Sequence, residues 1–357
     1  MASSVELPPR PGTLAVDRKR LPFWTPVQAL CAELAALPAE AWVDHFVQAN
    51  YEGSWRILPL RGPAGAAHPI LMATSHPGTR DYADTPFLAA APAFRSLLAR
   101  FRCPLLAVRV MALGPGSAIR EHTDPDLDGA GGVVRLHVPL RTQDAVQFLL
   151  NGTAVPFQPG ECWFLRLSDP HEILNPGLEA RIHLVIDAEL NPWLQGLLEL
   201  PEPVPAMLAF MDRIGLPWEA AELGEDTFLP GLHIEQGRLS VDGRRLAHPG
   251  DILHEAAHLA VLPAAERGVA CATTLEDPGL EIASLAWSYA ACLHLGLEPE
   301  TVFHPFGYKG ESAWLLETYR SGATLGQPLL AWMGLTEWGP GSTPERRFPA
   351  MLRWLRP

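Results

Sequence analysis

The chain has 357 residues, 48% hydrophobic and 19% charged, with a formal net charge of −13. That length and apolar content suffice for two cores, while the acidic balance disfavours nucleic acid and anionic membrane surfaces as partners. Five dispersed cysteines without a CxxC pair argue against a disulfide framework or a cysteine zinc site. With no apolar leader and no membrane-length apolar run, a cytoplasmic address is expected.

In chain order, residues 1–24 are rich in proline and basic side chains and read as an N-terminal arm. Thr25 and Pro26 have the pattern of an N-cap followed by a first-turn proline. They would open a helix over Val27–Leu37 that Pro38 ends, and a second short helix is expected from Trp42 to Phe46. From Trp55 to about Asp187 the texture is short β-rich runs: Leu105–Leu113, Val133–Leu140, Val146–Leu150, Cys162–Leu167 and Arg181–Ile186. Turn-forming clusters separate them, as in a sandwich or barrel. Asn151-Gly152 is the strongest hairpin signal. The character shifts after Asn191-Pro192, and Pro201–Pro205 (PEPVP) is the linker candidate. The predicted organisation is therefore an arm (1–24), a β-barrel domain (25–200) and a mainly helical domain (201–357).

Three potential metal ligands stand out in the β-rich half. His122 and Asp124 lie in IREHTDPD, and His171 lies in DPHEILNPG. Residues i and i+2 of an extended segment point to one side. Two imidazoles and one carboxylate form a triad that leaves adjacent octahedral positions open, as non-haem Fe(II) oxygenases require. Arg181 heads the strand RIHLVID. Inside a barrel its planar fork needs an anion, and the distal carboxylate of 2-oxoglutarate is the anion used in that enzyme class. Arg135 and His137, in VRLHVPL, share a strand face and are candidates for further contacts to the co-substrate. Trp163 reads as a core aromatic, and Asn175 as the residue that orders the turn after His171.

The motifs GPGSAIREHTD, RLHVPLRT, GECWFL, HEILN and RIHLVID, with DTPFLAAAP upstream, resemble the aspartyl/asparaginyl β-hydroxylase family, including its bacterial free-proline hydroxylase relatives. The resemblance runs from about Trp42 to Trp193. It implies a double-stranded β-helix (a jelly-roll or cupin-type barrel) that holds Fe(II) and 2-oxoglutarate and consumes O2. By the same resemblance His122, Asp124 and His171 match the iron ligands, Arg181 the 2-oxoglutarate anchor, and Arg135 and His137 additional co-substrate contacts. The animal β-hydroxylases lack the carboxylate of the His-x-Asp pair, which Asp124 supplies here, so the bacterial small-molecule hydroxylases are the nearer pattern. A filled carboxylate position also argues against halogenation. The implied reaction converts 2-oxoglutarate to succinate and CO2 while hydroxylating a C–H bond of an amino acid or peptide. Free amino acid, peptidyl side chain and carrier-tethered residue all remain open as substrates, and the sequence fixes no oligomeric state.

The C-terminal half carries a second constellation. In ILHEAAHLAVLP, Asp251 reads as an N-cap and Pro263 as a stop. His254 and His258, four residues apart on one helix, face the same way and would take Zn(II), with Glu255 as general base for a metal-bound water. Asp277-Pro278 would open the next helix, whose first turns hold Glu281 as candidate third ligand; Glu276, His294 and His304 are rivals. The arrangement resembles gluzincin peptidases, so a zincin-like domain is expected, and the hairpin before the HEAAH helix could offer an edge strand to an extended substrate. The overall fold class is then α+β. Beside the oxygenase reading stand two others: a zinc hydrolase centred on HEAAH with the barrel as a recognition module, and a non-catalytic metal-binding protein.

Overall fold

The computed structural model describes residues 13–74, 79–271 and 277–357. The first ten or so residues of the expected arm, and Glu276, lie outside the described residues. Two compact units divide the chain, one ending at Leu198 and the other beginning at Glu199.

In the first unit the strands are β1 (Arg18–Trp24), β2 (Val43–Asp44), β3 (Tyr51–Glu52), β4 (Trp55–Pro63), β5 (Tyr82–Asp84), β6 (Leu105–Leu113), β7 (Ser117–His122), β8 (Val133–Arg141), β9 (Gln147–Leu150), β10 (Thr153–Ala154), β11 (Glu161–Leu165), β12 (His171–Asn175) and β13 (Arg181–Glu189). They form a larger sheet in the order β1-β11-β8-β13-β6-β4-β2, with β5 on β4, and a smaller sheet in the order β10-β9-β12-β7-β3. From β6 to β13 the chain alternates between the two sheets, apart from the short hairpin β9–β10. This is the connectivity of a jelly roll. The five runs read as strands in the sequence are all strands, because near-continuous apolar segments such as LLAVRVMAL suit an interior position: β6 lies between β4 and β13. Side chains from both sheets, among them Ile57, Leu113, Trp163 and Val185 from the larger and Ile119, Phe148 and Ile173 from the smaller, make one core cluster.

Asn151 and Gly152 both have positive φ (51° and 69°), the conformation a two-residue hairpin demands, and they join β9 to β10 as expected. Asn175 orders the turn after β12: its Nδ2 donates to the carbonyls of Leu113, Gly114 and Glu179. Trp163 is a core residue whose Nε1 donates to Glu161.

Three local expectations fail in this unit. Residues 18–24 are no arm but the edge strand β1, paired to β11, with Leu21 and Phe23 buried and Arg20 bonded to Glu161. Thr25 does not cap the next helix: its N–H donates to Gly160, and Pro26 itself occupies the cap position before Val27–Ala36. The expected helix at Trp42–Phe46 is a 3-10 turn, Ala39–Ala41, followed by β2, because Val43 pairs with Ile57 of β4.

In the second unit, β14 (Trp218–Ala220), β15 (Leu232–Glu235) and β16 (Arg238–Val241) form a small sheet in the order β14-β16-β15. Gln236 and Gly237 turn the β15–β16 hairpin with positive φ. PEPVP is only partly a linker, since Val204 and Pro205 are buried in the helix Val204–Ile214. The HEAAH helix spans Asp251–Val261 and the following long helix Pro278–His294, the latter capped by Asp277, which accepts from the N–H groups of Gly279 and Leu280. Asp251 is not the cap of its helix: Gly250 is, and the Asp251 carboxylate is buried against His304. Among the described residues no helix is long and apolar enough to cross a membrane.

Candidate metal centres

His122 and His171 are cross-strand neighbours on β7 and β12. In an unbroken strand Ile119 and His122, three residues apart, would point to opposite faces. The β7–β12 register shifts between these positions, placing one extra residue on β7, so both Ile119 and His122 face inward. Asp124 lies just past the strand, and its N–H donates to Leu167. Ligand atoms of His122, Asp124 and His171 lie within 4.8 Å of one another.

Each imidazole is oriented through its far nitrogen. His122 Nδ1 lies 2.7 Å from the Arg120 carbonyl and His171 Nδ1 3.0 Å from the Asp169 carbonyl. A carbonyl only accepts, so each Nδ1 carries the proton and each Nε2 keeps a lone pair for a metal. Burial lowers the pKa of His171 to about 4, which keeps the ring neutral.

The triad opens on a cavity of about 510 Å³, within the size range of small-molecule sites. On its wall Arg181 is only 2% exposed. Its guanidinium lies over Phe148 at 5.5 Å, and Nη2 donates to His183 Nδ1 at 2.8 Å, while Nε has no hydrogen-bond partner. No acidic side chain pairs with it among the described residues. Burial alone pulls its pKa down to about 9. A buried cation of this kind calls for an anion from outside the chain.

Arg135, a candidate for co-substrate contacts, lines the cavity and is held by two acids. Its Nη1 bonds Asp124 Oδ2 at 2.7 Å, while Nε and Nη2 grip Asp187 at 2.6 and 3.0 Å. Burial opposes its charge, but Asp187 and Asp124 outweigh burial and raise its pKa. Arg135 therefore lines the cavity as a donor already engaged by acids of the chain, and it orients Asp124, one of the candidate ligands. His137 does line the cavity: both ring nitrogens are buried without a hydrogen bond, and burial holds the ring neutral.

Three further cavity residues, Arg109, Asp187 and His45, escaped sequence reasoning, as did His183 beside Arg181. Arg109 bonds Asp187 at 2.9 Å and completes the Arg135 network; charges inside the apolar strands LAVRVMAL and RIHLVID were the signal available. His183 sits two residues from Arg181, shares its strand face and accepts from its guanidinium. His45 is stacked on Trp55 at a ring separation of 3.5 Å, and nothing in its sequence surroundings marks it.

In the second unit, His254 Nε2 and His258 Nε2 are 3.2 Å apart. Glu281 brings its two carboxylate oxygens to 3.7 Å from the first and 3.4 Å from the second. Ser284 stands behind His258, 3.4 Å from Nδ1. Burial lowers the pKa of His254 to about 3 and of His258 to about 4, and it raises that of Glu255 to about 7. Of the rivals to Glu281, His304 is engaged with Asp251 at 2.9 Å, and His294 packs against Phe210 and Trp354.

Residues 27–190 match the family model described as Aspartyl/Asparaginyl beta-hydroxylase. No curated protein matches the chain. Among solved structures, a 2OG-Fe(II) oxygenase family oxidoreductase from Burkholderia pseudomallei is 15% identical, covering 45% of this chain and 77% of its own, with a TM-score of 0.29. A prolyl-4-hydroxylase from Pseudomonas putida is 18% identical over 50% of this chain and 94% of its own, with a TM-score of 0.30. A predicted oxalate decarboxylase from Thermotoga maritima is 14% identical over 42% and 93%, with a TM-score of 0.23.

Proposed function

We propose that the segment 27–190, a member of the aspartyl/asparaginyl β-hydroxylase family, is an Fe(II)- and 2-oxoglutarate-dependent hydroxylase acting on a C–H bond of an amino acid or peptidyl side chain. One observation carries this reading: Arg181, buried and without an acidic partner among the described residues, shares a cavity with a two-histidine, one-carboxylate cluster. The donor set suits ferrous iron, and the orphaned guanidinium suits the far carboxylate of a dicarboxylate bound at that iron. His122, Asp124 and His171 would hold the metal, and Arg181, with His183 fixing its orientation, would hold the co-substrate. His137 has two unsatisfied nitrogens for a further contact. O2 would be the oxidant, activated at bound iron with 2-oxoglutarate as co-reductant: one oxygen atom would end on succinate, released with CO2, and the other on the substrate. The protein's part is to position the substrate and exclude water.

The test is turnover of 2-oxoglutarate with added Fe(II) against amino-acid and peptide pools, read as succinate release together with a gain of one oxygen on a pool member. His122→Ala and Asp124→Ala are expected to abolish both signals. Succinate release unaffected by these changes would refute the assignment.

A second reading concerns the other unit. The two Nε2 atoms lie 3.2 Å apart, as two ligands of one ion with bonds of about 2 Å would, and Glu281 brings one carboxylate oxygen near each, Oε1 to 3.7 Å from His254 and Oε2 to 3.4 Å from His258. His254, His258 and Glu281 would hold a zinc-class ion independently of the barrel.

A further inference from the structure

Two of the three candidate ligands in the barrel hang on one short turn. Asp124 donates its N–H to the Leu167 carbonyl at 2.7 Å, and His171 donates from Nδ1 to the Asp169 carbonyl at 3.0 Å. Where those two carbonyls point therefore decides how the carboxylate and the imidazole stand to each other. The turn, residues 166–169, is closed by the Asp169 N–H donating to the Arg166 carbonyl at 3.1 Å. Across it the Arg166 guanidinium grips the Asp169 carboxylate at two points, Nε to Oδ1 at 2.9 Å and Nη2 to Oδ2 at 2.7 Å. Four-residue turns come in several types, and a planar two-point grip of this kind holds one of them.

The turn is also tied to the barrel from outside. Arg166 Nη1 donates to the Leu14 carbonyl at 2.6 Å, and the Arg166 N–H donates to the Asp17 carbonyl at 2.7 Å. Asn151, at the tip of the β9–β10 hairpin, spans the carboxylates of Asp17 and Asp169 with its Nδ2, at 3.0 and 2.7 Å. Its N–H donates to Pro170. The Leu14 N–H donates at 3.1 Å to the carbonyl of Asp128, in the loop that follows Asp124. Residues 14–17 thus run as a brace from the loop after one ligand to the turn before another.

We propose that Arg166, Asp169 and Asn151 are positioning residues of the metal centre, holding Asp124 and His171 at the spacing of one ion through the carbonyls of Leu167 and Asp169. Neither Arg166 nor Asp169 lines the cavity, so they act through the ligands and not on the substrate. The proposal rests on the reading of His122, Asp124 and His171 as metal ligands. Charge and positioning predict opposite signs for Arg166. It is a cation beside a metal-binding loop, so by charge alone its loss would favour a divalent ion. If its grip keeps the turn in shape, its loss weakens the ion, by the roughly 10- to 100-fold usual for groups that orient a ligand.

The full chain, stripped of metal, is titrated with Co(II) and followed by its visible absorption; the barrel signal is the part that His122→Ala removes. Arg166→Ala should weaken Co(II) binding there about 10- to 100-fold and alter the band shape as His171 turns. Because Arg166 and Asp169 act as one unit, Arg166→Ala combined with Asp169→Ala should bind no more weakly than the weaker single variant. Asn151→Gly keeps the left-handed φ of 51° that the hairpin needs and loses only the amide. It should weaken Co(II) about 10-fold with the Tm of the metal-free chain little changed, and it decides alone should Arg166→Ala not fold. Co(II) held as tightly as before, or more tightly, would overturn the proposal. So would a lower Tm of the metal-free chain with Co(II) affinity unchanged, the mark of a purely structural tie. An unaltered chain with no signal that His122→Ala removes would instead sink the metal reading itself.

Discussion

Arg181 shows how one residue's energetics and its function oppose each other. Below pH about 9 it is a charged group buried without a counter-ion among the described residues, a burden on the folded state that would ease only as the pH rose through that value. Arg181→Met should therefore stabilise the ligand-free chain, raising Tm by a few degrees for ~1–2 kcal/mol. It should weaken 2-oxoglutarate binding about 10- to 100-fold, the loss expected for a charge-assisted hydrogen bond. For the unaltered protein, saturating 2-oxoglutarate with an inert divalent ion should raise Tm by ~5–10 °C, checked by calorimetry. Arg135→Met is expected to act on metal affinity instead, lowering it about 10- to 100-fold in a Co(II) titration, since it frees Asp124 from the grip that orients it. Residue type and spacing made the His-x-Asp pair, His171, Arg181 and the HEAAH group legible. They could not show which acid Arg135 meets, because Asp187 reaches it only across the sheet pairing of β8 with β13.

At the level of elements, the extra residue on β7 is what turns His122 inward. Deleting Glu121 should restore regular pairing while leaving the histidine two positions from Ile119 and so still on the inward face; Fe(II) binding should therefore survive the deletion in a titration, with far-UV circular dichroism unchanged. In the hairpin, Gly152→Ala meets no steric neighbour but keeps a φ of 69°, so a cost of ~1 kcal/mol is expected, seen as a Tm lower by ~2–4 °C. Interior strands were legible because burial on both faces leaves continuous apolar text. β1 was not: RKRLPFW carries three basic residues and Pro22, the composition by which an edge strand discourages further pairing, and it reads equally well as a solvated arm. Thr25 and Asp251 were misread for a related reason. Each has the chemistry of a cap, but contacts remote in sequence fix its place one residue off the cap position: Gly160 takes the Thr25 N–H and His304 the Asp251 carboxylate, leaving Pro26 and Gly250 as the caps.

For the whole molecule, an acidic chain carries two sets of histidines in two separate units, and the sequence separates them as clearly as the fold does. Metal analysis of the full chain should find that His171→Ala and His254→Ala each remove one ion and leave the other. Loss of both from a single substitution would show that the sites depend on each other. The backbone carbonyls of Arg120 and Asp169, which fix the protons of His122 and His171, have a wider consequence. A cradle assembled in advance has no means of rejecting a stronger competitor, and nickel, copper and zinc all outrank ferrous iron for nitrogen and oxygen donors. Protein taken from ordinary culture would thus carry whichever of these was abundant, and its oxidative chemistry would emerge only after stripping and anaerobic reloading.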